Sequence, residues 1–268
     1  MKVSFSTLGC PRWSFQDICA TARDLGYDGI EMRGIGKDIS VPSIPEFAPG
    51  QVDETLAQLK RMHLSIPCLA SDCCLHIREQ AEHVDQEVEA YLALAQKLGV
   101  PYVRVMGAAG VPQPVGQVDA GYVRAHAQQL AEKAAASGVT LLIETNAQWS
   151  DTAKLARLLE DIGSPNVAAL WDVHHPYRYL REPAKISYEN LKPWIRHVHL
   201  KDSVMEDGRV CYRMPGYGDL PLEEAVGLLK EGGYEGFYSL EWLKRWDLSL
   251  EEPGIVFAHF ISFIRSFQ

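Results

Sequence analysis

TLLIETN (140–146), VAALWDV (167–173), IRHVHLKD (195–202) and GFYSLEW (236–242) decide the fold. Each is a short apolar run rich in β-formers that ends in a metal-ligating side chain: Glu144, Asp172, His199 and Glu241. Ligands this far apart in sequence converge only if their strands lie side by side in one sheet and finish at one rim. Taken singly, each residue has a plain alternative. Glu144 could sit in a strand-end ion pair, Asp172 could cap a helix, His199 could be a core histidine, and Glu241 could face solvent. Taken together, three carboxylates at one rim lose hydration and repel one another unless a cation joins them. One imidazole and three carboxylates form a hard, oxygen-rich set. One divalent ion is therefore expected, Mn²⁺ first, with Co²⁺, Mg²⁺ or Zn²⁺ as alternatives.

Working outward, four more strand-like runs precede these: VSFST (3–7), GIEMRG (29–34), SIPCLAS (65–71) and YVRVMG (102–107). Amphipathic helical patterns alternate with them, clearest in QEVEAYLALAQKLG, VRAHAQQLAEKAAASG, LEEAVGLLKEGG and PGIVFAHFISFIRSF. Gly26, Gly99, Gly138 and Gly233 fall where helices should stop, because glycine takes the left-handed cap conformation without a Cβ penalty. Apolar runs rather than strict alternation suit parallel strands buried on both faces. Eight strand–helix units recurring at roughly 30 to 40 residues predict an α/β protein, a single (β/α)₈ TIM barrel over residues 1–268. Its active site is expected at the C-terminal strand ends. A doubly wound open sheet is disfavoured because no GxGxxG follows the first strand. The least regular stretches, 34–50, 107–119 and 174–187, each follow a strand and are expected to supply substrate contacts or lids.

The totals exclude some functions. With 268 residues, 47% hydrophobic content and net charge −9, the chain can bury one large core and opposes a polyanion such as nucleic acid. No apolar stretch approaches the ~20 residues that span a bilayer, and the start MKVSFSTLGCPRW does not read as a signal peptide. Six cysteines without a CxxC pair suggest a reduced, cytoplasmic protein with no membrane partner.

The motifs IETN, WDVHH, HVHLKD, PGYGDLPL (215–222) and SLEW resemble those of the sugar phosphate isomerase/epimerase superfamily, the xylose-isomerase-like TIM barrels. That group includes ketose 3-epimerases, hydroxypyruvate isomerases and inosose dehydratases, with endonuclease IV as a remote member. The resemblance spans essentially the whole chain. It implies metal ligands at Glu144, Asp172, His199 and Glu241, and a substrate-contacting histidine at His175. It also implies association into homo-oligomers. His197 matches no family ligand and reads as a structural strand histidine. The chain departs from the ketose 3-epimerase pattern at ETNAQWS, where Trp149 and Ser150 stand in place of a glutamate, and at Tyr217, where relatives often carry an acid. The trinuclear zinc site of endonuclease IV needs more strand-end histidines than are present.

Proton transfer beside a carbonyl needs an electrophile for the enediolate oxygen, a base and an acid. Glu144 and Glu241, from different sides of the mouth, can flank a substrate as that pair. The resemblance implies that both also ligate the metal. His175 is a further base or hydroxyl clamp, with a helix-capping role as its alternative. Lys201 lies on the same strand side as His199 and could hold a substrate oxygen or pair with a barrel carboxylate. Asp202 should orient His199 or a neighbouring loop. Glu31, Arg33 and Arg104 could bind substrate oxygens or form an internal ion-pair network. Trp13, Trp149, Trp171 and Trp242 could wall a sugar site or pack the core. No phosphate-binding glycine loop is evident, so a small unphosphorylated sugar or polyol is expected. The leading expectation is a divalent-metal-dependent isomerase or epimerase of a ketose, keto-sugar or related polyol carbonyl. The alternatives are a lyase on the same scaffold (inosose-type dehydratase or 3-keto-glycoside cleavage), or a noncatalytic or partner-dependent barrel subunit. Phosphodiester hydrolysis ranks last.

Overall fold

A computed structural model of the chain describes residues 1–108, 110 and 118–268. The strands are β1 (Lys2–Ser6), β2 (Gly29–Glu31), β3 (Cys68–Cys74), β4 (Tyr102–Met106), β5 (Thr140–Glu144), β6 (Val167–Asp172), β7 (Ile195–Leu200), β8 (Asp202–Glu206), β9 (Arg209–Arg213) and β10 (Phe237–Leu240). Eight of them form one sheet in the order β2-β1-β10-β7-β6-β5-β4-β3, and β8 and β9 form a separate pair. The outer strand β2 also bridges in parallel to the segment before β3, through Gly29 and Ser65, with Ile30 N donating to Ser65 O at 2.9 Å. The parallel strands thus make a nearly closed barrel with helices between them, and the (β/α)₈ reading is borne out.

By Cα proximity the chain divides into two compact units. The first comprises Met1–Pro67 and Val198–Gln268. Here β1 pairs with β10 and with β2. Phe5 on β1 stacks on Phe257 at 4.0 Å and meets Tyr27 edge-on at 4.9 Å. Each such buried aromatic contributes about 1.5–3 kcal/mol. The helix Phe15–Leu25 starts with a reciprocal Ser14/Asp17 capping box and ends at Gly26 with φ +79°, so both ends are encoded locally. The second unit, Cys68–His197, holds β3 to β6 in parallel register. Its core includes Cys68, Leu142, Ala168 and Leu170, with Tyr102 against them.

The differences from the sequence reading are local. β3 starts at Cys68 rather than at residue 65, because Pro67 has no N–H to donate. It runs on to Cys74 through a register shift. The stretch 174–187 is not a loop throughout: it contains the helix His174–Leu180 and the start of Ala184–Leu191. Pro176 falls in the first turn, where a missing N–H costs little. The β8–β9 hairpin was not anticipated. Its turn, Asp207-Gly208, has φ +49° and +76°, the paired positive values of a two-residue hairpin turn. Of the loop 107–119, most residues lie outside the described ones. Among the described residues no helix is long and apolar enough to cross a membrane.

Candidate metal centre

In the second unit, Glu144 and Asp172 are the last residues of β5 and β6, and both are buried. Arg104, on β4, brings its Nε to 3.3 Å from Glu144 Oε2, while its Nη1 donates to Ser71 O at 2.7 Å. Thr145 stitches the two strand ends together: Asp172 N donates to Thr145 Oγ1 at 2.9 Å and Thr145 Oγ1 donates to Asp172 O at 3.0 Å. Asp172 Oδ1 accepts from His174 N at 2.9 Å. His175 is buried in the first turn of its helix. Its Nδ1 lies 2.8 Å from Thr145 O. A carbonyl only accepts, so Nδ1 carries a proton and donates to it. Nε2 is 3.9 Å from Asp172 Oδ2, and Nδ1 is 3.7 Å from Glu144 Oε1.

In the first unit, β7 presents His199 toward Glu31, the last residue of β2. His199 Nε2 is 2.9 Å from both Glu31 oxygens, and Ser239 Oγ donates to Glu31 Oε2 at 2.9 Å. All three side chains are fully buried. The carboxylate fixes the imidazole tautomer with the proton on Nε2, which puts the ring's lone pair on Nδ1. That Nδ1 is 3.5 Å from Glu241 Oε1. Lys201, two residues further along β7, pairs through Nζ with Glu241 Oε2. Lys201 thus makes the ion pair with a barrel carboxylate, and Glu31 is hydrogen-bonded to His199 and Ser239.

Glu144, Asp172, His199 and Glu241 are buried, and each offers a ligand atom within 4.8 Å of the others. The chain thus has a buried His/Asp/Glu cluster that can hold a metal ion. Its donor set is the oxygen-rich one that fits a hard dication.

The remaining anticipated residues take protein partners. Arg33 is buried, its N accepted by Thr7 Oγ1 at 2.8 Å and its guanidinium carbon 5.9 Å from the Trp246 ring centroid. Trp13 is partly exposed and meets Phe257 edge-on at 5.6 Å. Asp202 holds the PGYGDL loop: Oδ2 accepts from Gly216 N at 2.9 Å and Gly218 N at 3.0 Å, and Oδ1 from Leu220 N at 3.2 Å and Ser203 N at 2.9 Å. Burial raises its pKa above the ordinary carboxylate value, outweighing the four N–H groups that lower it. Sequence reasoning missed Thr145 and Ser239. They sit within two residues of Glu144 and Glu241 respectively, where a small hydroxyl is the available signal.

The model of the xylose isomerase-like TIM barrel matches residues 19–262, and the chain belongs to that family. It is 24% identical over 266 residues to fructoselysine 3-epimerase of Escherichia coli O157:H7, covering 95% of this chain and 94% of that one. The probable 3-DHS dehydratase AsbF of petrobactin synthesis from Bacillus anthracis superposes with TM-score 0.82 at 19% identity, over 99% of both chains. A xylose isomerase-like TIM barrel protein from Mycobacterium smegmatis, in complex with magnesium, superposes with TM-score 0.76 at 15% identity, over 99% of this chain and 96% of that one.

Proposed function

We propose that this chain is a divalent-metal-dependent isomerase or epimerase that moves a proton beside the carbonyl of a ketose, keto-sugar or related polyol. The observation that carries the reading is the buried cluster of Glu144, Asp172, His199 and Glu241. In this reading those four residues hold one ion, Mn²⁺ first. Three buried carboxylates are more stably accommodated around a dication than alone. The chemistry such an ion supplies when bound is Lewis-acid polarisation of the substrate carbonyl.

The chain's own residues do the rest. Glu144 and Glu241 remove the carbon-bound proton and return it. Arg104 lies beside Glu144 and Lys201 pairs with Glu241, so each carboxylate is held in place by a cation. His175, with Nδ1–H committed to Thr145 O, offers Nε2 to a substrate hydroxyl. Glu31 positions His199 and is a positioning residue. A fructoselysine epimerase among the relatives supports a keto-sugar substrate.

The test is calorimetric titration of metal-free protein with Mn²⁺, Co²⁺, Mg²⁺ and Zn²⁺, beside Glu144→Gln and Asp172→Asn. One tight site lost in both variants is expected. Keto-sugars are then incubated in D₂O, with deuterium appearing at the carbon next to the carbonyl. Elimination accompanying that exchange would make the enzyme a lyase. Absence of specific metal binding would overturn the reading and favour a noncatalytic barrel subunit.

A further inference from the structure

The turn after β5 buries polar atoms for which the described residues offer no hydrogen-bond partner. Asn146 is 8% exposed and Trp149 2%, yet Asn146 Oδ1 and Trp149 Nε1 have no hydrogen-bond partner among the described residues. Both side chains lie against the end of β4. Asn146 Nδ2 donates to Met106 Sδ at 3.7 Å, and Oδ1 is the amide atom without a partner among the described residues. The indole nitrogen crowds Gly107 so closely that a β-carbon there would stand 2.3 Å from Nε1. Ala147, between the two residues, has φ +49°, a region disfavoured for any residue with a side chain. Ser150 Oγ, on the same turn and 1% exposed, is a third such atom.

Folded proteins satisfy nearly all buried polar groups, and strained backbone persists where function requires it. Three buried polar atoms without a partner among the described residues and one strained residue, on a turn two residues beyond Glu144, are costs concentrated in one place. A bound ligand group would offset them.

We propose that Asn146 and Trp149 form a subsite for one hydroxyl of a neutral polyhydroxy substrate. The hydroxyl donates to Asn146 Oδ1 and accepts from Trp149 Nε1–H. This deepens the function proposed above and rests on it. A hydroxyl is the group that meets both demands with a single oxygen. A carboxylate or phosphate only accepts, and would face Asn146 Oδ1 lone pair to lone pair. An ammonium only donates, and would face the indole N–H. The subsite therefore selects an uncharged polyol arm against a phosphorylated one.

Three quantities test this in wild type, Asn146→Leu and Trp149→Phe: the thermal midpoint without ligand, the Kd for Mn²⁺, and the Kd for D-fructose and D-tagatose with Mn²⁺ present. Replacing an unsatisfied buried amide by an apolar group of similar shape is neutral or stabilising, so Asn146→Leu should melt at or above wild type. Each variant should bind the ketoses at least fivefold more weakly and Mn²⁺ as wild type does. Trp149→Phe is read by Kd alone, since loss of ring volume lowers its midpoint on its own. A lowered midpoint in Asn146→Leu with unchanged ketose Kd in both variants would show structural side chains and overturn the subsite, while the metal reading stands. Wild type that binds Mn²⁺ but neither ketose overturns the subsite and its substrate class. Wild type that binds ketose but no metal overturns the metal mechanism, and a fivefold loss in the variants would still support the subsite.

Discussion

Asp202→Ala should loosen the loop 215–220 and destabilise the protein by about 3 kcal/mol. The magnitude follows from the contacts. Asp202 accepts from three loop amides, Gly216, Gly218 and Leu220, and from Ser203. A hydrogen bond to a charged group contributes about 1.5–3 kcal/mol, so the three loop bonds set an upper bound well above the expected loss. Gly216 is exposed and Gly218 half-buried, so their N–H groups recover most of their bonding from water once the carboxylate is gone. Leu220 is buried, and its amide recovers least. At about 2–4 °C per kcal/mol for a chain of this size, the thermal midpoint should fall by roughly 6–12 °C. Asp202→Asn, which keeps one acceptor oxygen, should fall about half as far. Gly218→Ala attacks the same anchor from the other side. Its β-carbon would stand 2.0 Å from Asp202 Oδ1 and 2.6 Å from Ser203 O. The double variant should then lose less than the sum of the singles. Hydrogen exchange at the Gly216, Gly218 and Leu220 amides locates the effect. A midpoint within 1 °C of wild type, or unchanged protection at those amides, would refute the reasoning.

Other outcomes follow from the same structure. Asp202 has a folded pKa above its unfolded value, because burial outweighs the N–H donors. Its contribution to stability is thus fully present below the unfolded pKa and declines as pH rises through the folded one. The stability gap between wild type and Asp202→Ala, measured by denaturant titration, should narrow from pH 4 to pH 7; a widening gap contradicts the sign. Glu31→Gln keeps the shape beside His199 but removes the charge that fixes its tautomer, and should weaken Mn²⁺ binding by about 10–100-fold in calorimetry; unchanged affinity means that Glu31 is only packing. Burial pushes the Cys19 and Cys73 thiols up to about 12 and Cys74 to about 11. A thiol reagent at pH 8 should therefore label half-buried Cys211 first, with the other five reacting only on unfolding. Rapid labelling of two or more cysteines in the folded protein would contradict the burial.

Much of the fold could be read from local pattern, and the reasons are visible in single elements. Thr140–Glu144 and Val167–Asp172 are apolar runs closed by one acid, so strand and strand-end carboxylate coincide in the same few letters. Ser14, Asp17 and Gly26 mark both ends of one helix, because capping is a matter of four-residue geometry. The Asp207-Gly208 turn was equally local, and its hairpin could have been found from the dipeptide between MEDGRV residues. Ambiguity arose where two roles share one residue type. Lys201 was equally compatible with a substrate contact and an ion pair, and Asp202 with a histidine or a loop.

By itself the sequence determined the alternation of strands and helices, the barrel they imply, and the four strand ends that carry Glu144, Asp172, His199 and Glu241. These depend on hydrophobic period and cap chemistry, which act over a few residues. Only the tertiary structure decided which groups face one another. Glu31 reaches His199 across 168 residues of chain and puts the imidazole lone pair on Nδ1. Asp202 was assigned to the loop, Lys201 to Glu241, and Asn146 Oδ1 and Trp149 Nε1 to no partner among the described residues. A strand's period of two specifies the face on which a side chain stands. The partner on that face is specified by the register of strands distant in sequence, which folding alone brings together.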